Sequence, residues 1–192
     1  MKKLLLMVAL AFTTLNMSAQ DESKITVKAG VGITSVVGSD ADTKNSLSYK
    51  VGVSYDWGVA ENFSIIPGLE FAIKGHKVDG IDGSINKGYL QIPIFAAYKF
   101  RLSDSMKLAL KVGPYFGFGV VGSDIEFAGG GKVNIFDKDD GFDRFDAGII
   151  AGVSLDIDKF VVGVEYSRGF KKLVSDMSAF NQGVGVVVGY KF

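Results

Sequence analysis

The feature that most constrains this chain is an alternation of apolar with polar or small residues, with a period of two, in eight segments. Successive side chains of a β-strand point to opposite faces, so this period predicts strands and not helices. The apolar faces span Ile25–Ile33, Leu47–Trp57, Phe63–Ile73, Leu90–Phe100, Leu108–Val120, Phe145–Ile157, Phe160–Tyr166 and Val184–Phe192. We therefore predict an all-β fold, an eight-stranded antiparallel up-and-down transmembrane β-barrel.

The two faces of these segments differ in composition. The apolar face carries no charge and no Ser or Thr, whereas the opposite face is rich in glycine and carries five cations and five anions: Lys28, Lys50, Lys99, Lys111, Lys191, Asp56, Glu70, Asp146, Asp156 and Glu165. A secreted lipocalin-like barrel, the alternative, would turn the apolar face inward and cover its surface with charge. A lysine or arginine facing lipid near mid-membrane costs roughly 2–4 kcal/mol, which favours the apolar face as the outer one.

The charges on the polar face predict an interior ion network. If the second and third segments pair through a turn at Gly58–Asn62, with Trp57 opposite Phe63, then Lys50 lies opposite Glu70. We expect an interior salt bridge there, in a charge network that also includes Lys28, Lys111 and Glu165. Neutralising buried charge is its structural role, because a lone buried ion is strongly unfavourable. A gated narrow conduction path is the functional alternative.

Aromatic residues collect at one set of predicted strand ends. They are Tyr55, Trp57, Phe63, Tyr98, Phe100, Phe160, Tyr190 and Phe192. Short links, Gly58–Asn62, Arg101–Ser105 and Asp158–Lys159, join these ends, and longer polar links, around Gly38–Asn45, Lys77–Lys87, Ser123–Asp143 and Lys171–Asn181, join the others. Short periplasmic turns, long outer loops and an aromatic girdle are typical of outer-membrane barrels. This pattern predicts that both termini of the barrel lie on the periplasmic side.

The N-terminal segment has the order of a secretory signal peptide. Lys2 and Lys3 precede an apolar run from Leu4 to Leu15, and small residues end at Ala19. This order predicts a signal peptide over residues 1–19, cleaved between Ala19 and Gln20, and a single barrel domain over residues 20–192. The chain has no Cys, and its 21 Lys and Arg balance 21 Asp and Glu without a basic cluster, so we expect no disulfide and no nucleic-acid partner.

Several stretches resemble the PorT-like outer-membrane barrel domains of Bacteroidota, which are related in form to the small OmpX and OmpA barrels. They include Glu61–Leu69, Tyr89–Ile94, Gly113–Tyr115, Phe145–Gly148, Glu165–Phe170 and Gly189–Phe192. The resemblance implies an eight-stranded barrel in the outer membrane, accounts for Pro67, Pro93 and Pro114 within strands, and implies that the barrel assembly machinery recognises the terminal Phe192. Met17–Gln20 also resembles the end of signal peptides from that phylum.

Motifs that would carry chemistry are weak. His76 is the only histidine and has no nucleophile motif beside it, so we expect no enzyme. The GxGxxG at Gly117–Gly122 lacks a following helix, and the acidic residues Asp137 to Asp143 lack the spacing of a calcium-binding loop. We expect no cofactor.

Three functions remain open. The first is a structural or surface-interaction barrel in contact with outer-membrane lipid and an extracellular or periplasmic protein. The second is an accessory of a PorT-like secretion or envelope-assembly system. The third is a small-solute channel or enzyme.

Overall fold

The computed structural model of the protein describes residues 25–38, 45–77, 84–122, 124–126, 132–134, 144–170 and 179–192. Eleven strands are present in this part of the chain. They are β1 (Ile25–Gly38), β2 (Ser46–Tyr55), β3 (Trp57–Ala60), β4 (Phe63–Lys77), β5 (Ser84–Arg101), β6 (Met106–Gly122), β7 (Asp124–Glu126), β8 (Lys132–Asn134), β9 (Phe145–Ile157), β10 (Phe160–Gly169) and β11 (Ala179–Lys191). No helix long and apolar enough to span a membrane occurs among the described residues.

The main sheet closes on itself as an eight-stranded antiparallel barrel. Its strands follow the order β2-β1-β11-β10-β9-β6-β5-β4-β3, and β2 also pairs with β4. β2 and β3 form one barrel strand that is interrupted at Asp56. β1 closes the barrel by pairing with β11, from Thr26 opposite Lys191 to Gly38 opposite Ala179. β7 and β8 form a separate two-stranded hairpin. The predicted fold class is confirmed.

The apolar face of the barrel wall points outward. Val31, Val112, Val164 and Val186 are each about half exposed, while Glu70 is 1% exposed and Glu165 4%. Placing large apolar side chains outside and charged ones inside is the arrangement of a barrel surrounded by lipid. The lipocalin-like alternative is therefore wrong, since it requires the opposite orientation of every strand.

The two ends of the barrel differ. One end, here called the turn end, has tight connections at Glu61–Asn62, at residues 102–105 and at Asp158–Lys159. Asp158 has a positive φ of 50°, and Ile157 pairs directly with Phe160 across this two-residue turn. Left-handed backbone at a two-residue hairpin loop matches the twist of the flanking strands, and Asp tolerates it better than most residues. The opposite end is called the loop end.

The predicted pairing of the second and third segments is wrong by two residues. Gly52 and not Lys50 lies opposite Glu70, Lys50 lies opposite Ala72, and Trp57 lies opposite Ile65. The chain turns later than expected, at Glu61–Asn62, because β3 continues to Ala60, with a register shift between Gly58 and Ala60. A slip of two residues keeps every side chain on its own face, so the inward and outward assignments survive the error.

The strands also extend further toward the loop end than expected. β4 reaches Lys77 and β5 begins at Ser84, whereas the sequence predicted a link across Lys77–Lys87. β11 begins at Ala179, two residues before the predicted end of the last link. The hairpin of β7 and β8 lies within the long link of residues 123–143, where no strand was predicted.

Candidate functional site

The interior of the barrel holds a cluster of buried charges, here called the central ion cluster, made of Lys28, Lys50, Glu70, Lys111 and Glu165. Each residue comes from a different strand, namely β1, β2, β4, β6 and β10. The period of two directs these five side chains inward, and the glycines between them leave room for their length. Gly52 lies directly opposite Glu70, and a Cβ there would come within 2.8 Å of the Glu70 side chain.

Glu165 and Glu70 are the two anions of this cluster. The Lys28 ammonium lies 2.5 Å from Glu70 Oε1 and 3.9 Å from Glu165 Oε1. Lys50 donates to Glu165 and lies 3.8 Å from Glu70 Oε2. Lys111 lies 3.8 Å from Glu165 Oε1. The structure thus brings all five residues together, although the nearest cation to Glu70 is Lys28 and not the expected Lys50.

The cluster contains three cations and two anions, and an aromatic ring lies beside two of the cations. Phe95 is 1% exposed, and its ring centroid lies 5.3 Å from Lys28 Nζ and 5.7 Å from Lys111 Nζ. A ring face attracts a nearby ammonium by roughly 0.5–2 kcal/mol, more where both are shielded from water. Phe95 therefore supplies part of the stabilisation that a third carboxylate would otherwise give.

A second group of buried residues lies nearer the loop end and was not expected as a set. This loop-end cluster contains Lys74, Tyr89, Tyr115, Asp146 and Asn181. Asp146 accepts from Lys74 Nζ at 2.9 Å, from the Tyr115 hydroxyl at 3.2 Å and from Asn181 Nδ2 at 3.5 Å. Lys74 Nζ also lies 5.1 Å and 4.9 Å from the ring centroids of Tyr89 and Tyr115.

The signal for Lys74 was present in the sequence. Lys74 has the same parity as Glu70 on the polar face, one position beyond the predicted end of its segment. Extending the alternation past Ile73 would have found it. No such signal exists for Tyr89 and Tyr115, because the alternation pattern places them on the polar face but does not predict which residues they contact.

Two further ion pairs lie near the turn end. Lys99 pairs with Asp56, and Lys191 Nζ lies 2.6 Å from Asp156 Oδ2. Between these pairs and the central ion cluster is a cavity of about 40 Å³, and between the central and loop-end clusters is one of about 60 Å³. Polar cavities of this size hold a few water molecules. These two cavities, lined by residues that the structure describes, therefore offer room for water and not for a metabolite.

The aromatic residues predicted as a girdle lie around the turn end. Trp57 is 59% exposed and Phe160 61%, and edge-to-face contacts join Tyr98 to Phe100 and Tyr190 to both Phe160 and Phe192. Tyr55 is half-buried, and Phe63 borders the Glu61–Asn62 turn. Phe192 is exposed, and its backbone N–H donates to the Ile25 carbonyl at 2.9 Å.

Other predicted positions lie outside the described part of the chain. They are Ala19 and Gln20 at the signal cleavage point, and Asp137 to Asp143 in the acidic segment. The backbone of His76 lies on β4 opposite Ile85. Within the described ranges, no group of three or more metal-ligating His, Asp or Glu residues lies close enough to hold a metal ion.

Solved structures of small membrane barrels resemble this fold. The outer membrane enzyme PagL matches with a TM-score of 0.56 and 16% identity, over 87% of this chain and 99% of that one. Neisserial surface protein A matches with a TM-score of 0.56 and 12% identity, over 88% of this chain and 97% of that one. Ail, the attachment invasion locus protein of Yersinia pestis, matches with a TM-score of 0.47 and 16% identity, over 90% and 100%. At these identities the likeness shows the fold alone.

The family assignment comes from the sequence. No curated protein sequence matches the chain significantly. The family model of the outer membrane protein beta-barrel domain matches residues 18–175, which include every barrel strand except β11. Such a barrel resides in the outer membrane, in agreement with the lipid-facing apolar wall described above. The chain belongs to the outer membrane protein beta-barrel domain family.

Proposed function

We propose that this protein is a structural and surface-interaction barrel, and not a channel or an enzyme. The carrying observation is the filled interior. Ion pairs and aromatic side chains occupy the lumen at three levels, and the cavities between them hold only about 60 and 40 Å³. A barrel of this kind offers partners its surface and its ends.

The loop end is the surface we propose for the interaction. β4 and β5 remain paired past Ile73 for four more residue pairs, from Lys74 opposite Lys87 to Lys77 opposite Ser84. At about 3.4 Å per residue, this is roughly 14 Å of further strand. β4 has 15 residues and β5 has 18, against the 9–11 that span a bilayer. The excess length supports a rigid projection from the membrane surface.

The proposal includes the route to the membrane and its orientation. Residues 1–19 act as a signal peptide cleaved after Ala19, the assembly machinery recognises Phe192, and the turn end faces the periplasm. By motif we relate it to the PorT-like barrels of Bacteroidota. Only that resemblance supports a secretion-accessory role like that of PorT. An enzyme, PagL, also shares the fold.

Site-specific photo-crosslinking in intact cells tests the proposal. A photoreactive amino acid replaces Lys77 or Ser84 at the loop end, and Asn62 or Lys159 at the turn end serves as the matched control. We expect protein adducts from the loop-end positions. Adducts from the turn end alone would favour a periplasmic accessory role.

Planar-bilayer recordings should show no single-channel conductance, and lipids from cells with and without the protein should have the same masses. Steady conductance or altered lipid masses would contradict the proposal.

A further inference from the structure

The lipid-facing wall of the barrel carries an apolar groove of about 510 Å³. It crosses β4, β5, β6, β9 and β10, and its floor is formed where small residues flank Val112. Ala96 on β5 lies opposite Val112, Val112 lies opposite Ala151 on β9, and Ala151 lies opposite Tyr166 on β10. The volume is within the range of about 300–1,000 Å³ that is typical of ligand pockets.

The groove runs from one side of the membrane toward the other. Its boundary nearest the turn end includes Phe63, which follows the Glu61–Asn62 turn, and Tyr98, which is paired with Phe63. Its boundary nearest the loop end is Tyr166, three residues before β10 ends at Gly169. Because the strands of a barrel are tilted, a path across neighbouring strands also climbs along the barrel axis. A hydrocarbon chain lying in the groove would extend from the turn-end girdle toward the loop end.

A cation lies on β10 next to the groove, on the side of the loop end. Arg168 is the next outward residue after Tyr166 on β10, and it is exposed, between Gln182 of β11 and Ile149 of β9. Among the described residues Arg168 forms no ion pair. Polar groups flank it: the Tyr166 hydroxyl donates to Gln182 Oε1 at 3.4 Å, and Gln182 Nε2 donates to Ser35 Oγ at 3.4 Å. This is a polar patch on a face that is otherwise apolar.

We infer that the groove and Arg168 together form a binding site for a phosphorylated acyl lipid of the outer leaflet. One acyl chain lies along Ala96 and Ala151, and Arg168 holds the phosphate. A guanidinium matches the geometry of two phosphate oxygens and is the preferred side chain for this recognition. The occupant follows from the surroundings, since the groove opens into the hydrocarbon layer and, with the turn end facing the periplasm as proposed above, the cation lies toward the outer leaflet. This site does not depend on the loop-end partner proposed above, but it rests on the membrane orientation proposed there.

Lipid retention measured by native mass spectrometry tests the inference. The full-length mature barrel in detergent is titrated with diphosphoryl lipid A, and dephosphorylated lipid A and phosphatidylglycerol are compared. Ala151→Leu fills the groove, with Ala29→Leu as its control, because Ala29 is also outward-facing and exposed but lies on β1. Arg168→Gln removes the cation, with the exposed Arg101 at the turn end, changed to Gln, as its control. All four positions are on the surface, so we expect every variant to fold. Heat-shifted electrophoretic mobility verifies the fold of each one.

We expect one lipid A molecule per barrel, with saturable binding. Arg168→Gln and removal of the phosphate should each weaken binding about tenfold, and Ala151→Leu should weaken it at least as much. Ala29→Leu and Arg101→Gln should leave it unchanged. Equal, unsaturable retention by all variants would mean that annular lipid alone covers this face. Preferential binding of phosphatidylglycerol that depends on Arg101 would place the site at the inner leaflet and would also overturn the inference.

Discussion

Gly113 on β6 lies tightly against the backbone of β5. A Cβ built on Gly113 would stand 1.9 Å from the Ile94 carbonyl oxygen and 2.9 Å from Phe95 Cα, both of which are backbone atoms. On the same strand and the same face, a Cβ on Gly117 would meet the flexible Gln91 side chain at 3.4 Å and the Asp146 carbonyl oxygen at 3.5 Å, which is ordinary van der Waals contact. The two glycines look alike in the sequence, yet only one of them has no space for a methyl group.

Replacing these glycines by alanine should have unequal effects. We expect Gly113→Ala to destabilise the barrel by more than about 3 kcal/mol, since two strands must separate to admit the methyl group. Gly117→Ala should change the free energy of unfolding by less than about 1 kcal/mol. Alanine lowers the conformational entropy of the unfolded chain, and this gain offsets the mild crowding in the folded barrel. Urea unfolding in lipid vesicles, followed by Trp57 fluorescence, measures both variants. Similar values for the two would contradict the close approach at Ile94.

Glu165 is the residue on which the central ion cluster most depends, because it lies within 4 Å of three lysines. Glu165→Gln keeps the shape and removes the charge, leaving three buried cations with one carboxylate. Removing one partner of a buried ion pair costs about 3–5 kcal/mol, and we expect a loss of this size. Adding Lys50→Met should recover part of it. Glu61→Gln, in an exposed turn, is the control. An unchanged unfolding midpoint for Glu165→Gln would mean that the cluster does not stabilise the fold.

At the scale of the strand, the alternation of faces decides which substitutions the membrane tolerates. Val186 and Val187 are neighbours on β11, but Val186 is 49% exposed toward lipid and Val187 is 4% exposed inside the barrel. Depth along the strand matters as well, since Val186 lies in the middle of β11 and Phe160 at the turn end of β10.

A lysine introduced on the lipid face should therefore have a depth-dependent cost. We expect Val186→Lys to lower the free energy of unfolding by about 2–4 kcal/mol and Phe160→Lys by less than about 1 kcal/mol. Val186→Leu, which keeps the residue apolar, is the matched control. The measurement is equilibrium unfolding in vesicles. If both lysine variants were as stable as the wild type, the outward face would not contact hydrocarbon.

At the scale of the whole molecule, closure leaves no free edge among the described strands of the barrel wall. β1 pairs with both β2 and β11, so the first and last strands of the chain hold each other. Backbone groups in a bilayer have no water to bond with, and a closed barrel satisfies them internally. Such a structure resists detergent at room temperature and unfolds only on heating.

The protein in outer-membrane fractions should accordingly show two electrophoretic forms. We expect an unboiled, compact barrel and a boiled, unfolded chain of different mobility, because the closed hydrogen-bond network survives detergent alone. Gly113→Ala should show little of the compact form, and Gly117→Ala should match the wild type. A single mobility with and without heating would contradict the closed barrel.

Much of this molecule could be predicted from local pattern. The period of two determines which side chains share a face whatever the pairing, so the eight strands, the inward charges and the outward apolar wall followed from the sequence. Short turns with aromatic residues beside them likewise identified the turn end. The sequence could not set the register, because a slip of two residues preserves every face and moves every partner. Lys50 and Glu70 were misplaced for this reason.

Tertiary structure alone decided which charges meet. Lys50 donates to Glu165, 115 residues away along the chain, because closure of the barrel brings β2 and β10 to opposite sides of one narrow interior. The contacts of Asp146 with Lys74, Tyr115 and Asn181, the groove over Ala96 and Ala151, and the position of Arg168 next to it depend in the same way on tilt and register around the whole barrel. A strand's sequence determines its two faces, whereas its neighbours across the barrel are set only when the sheet closes.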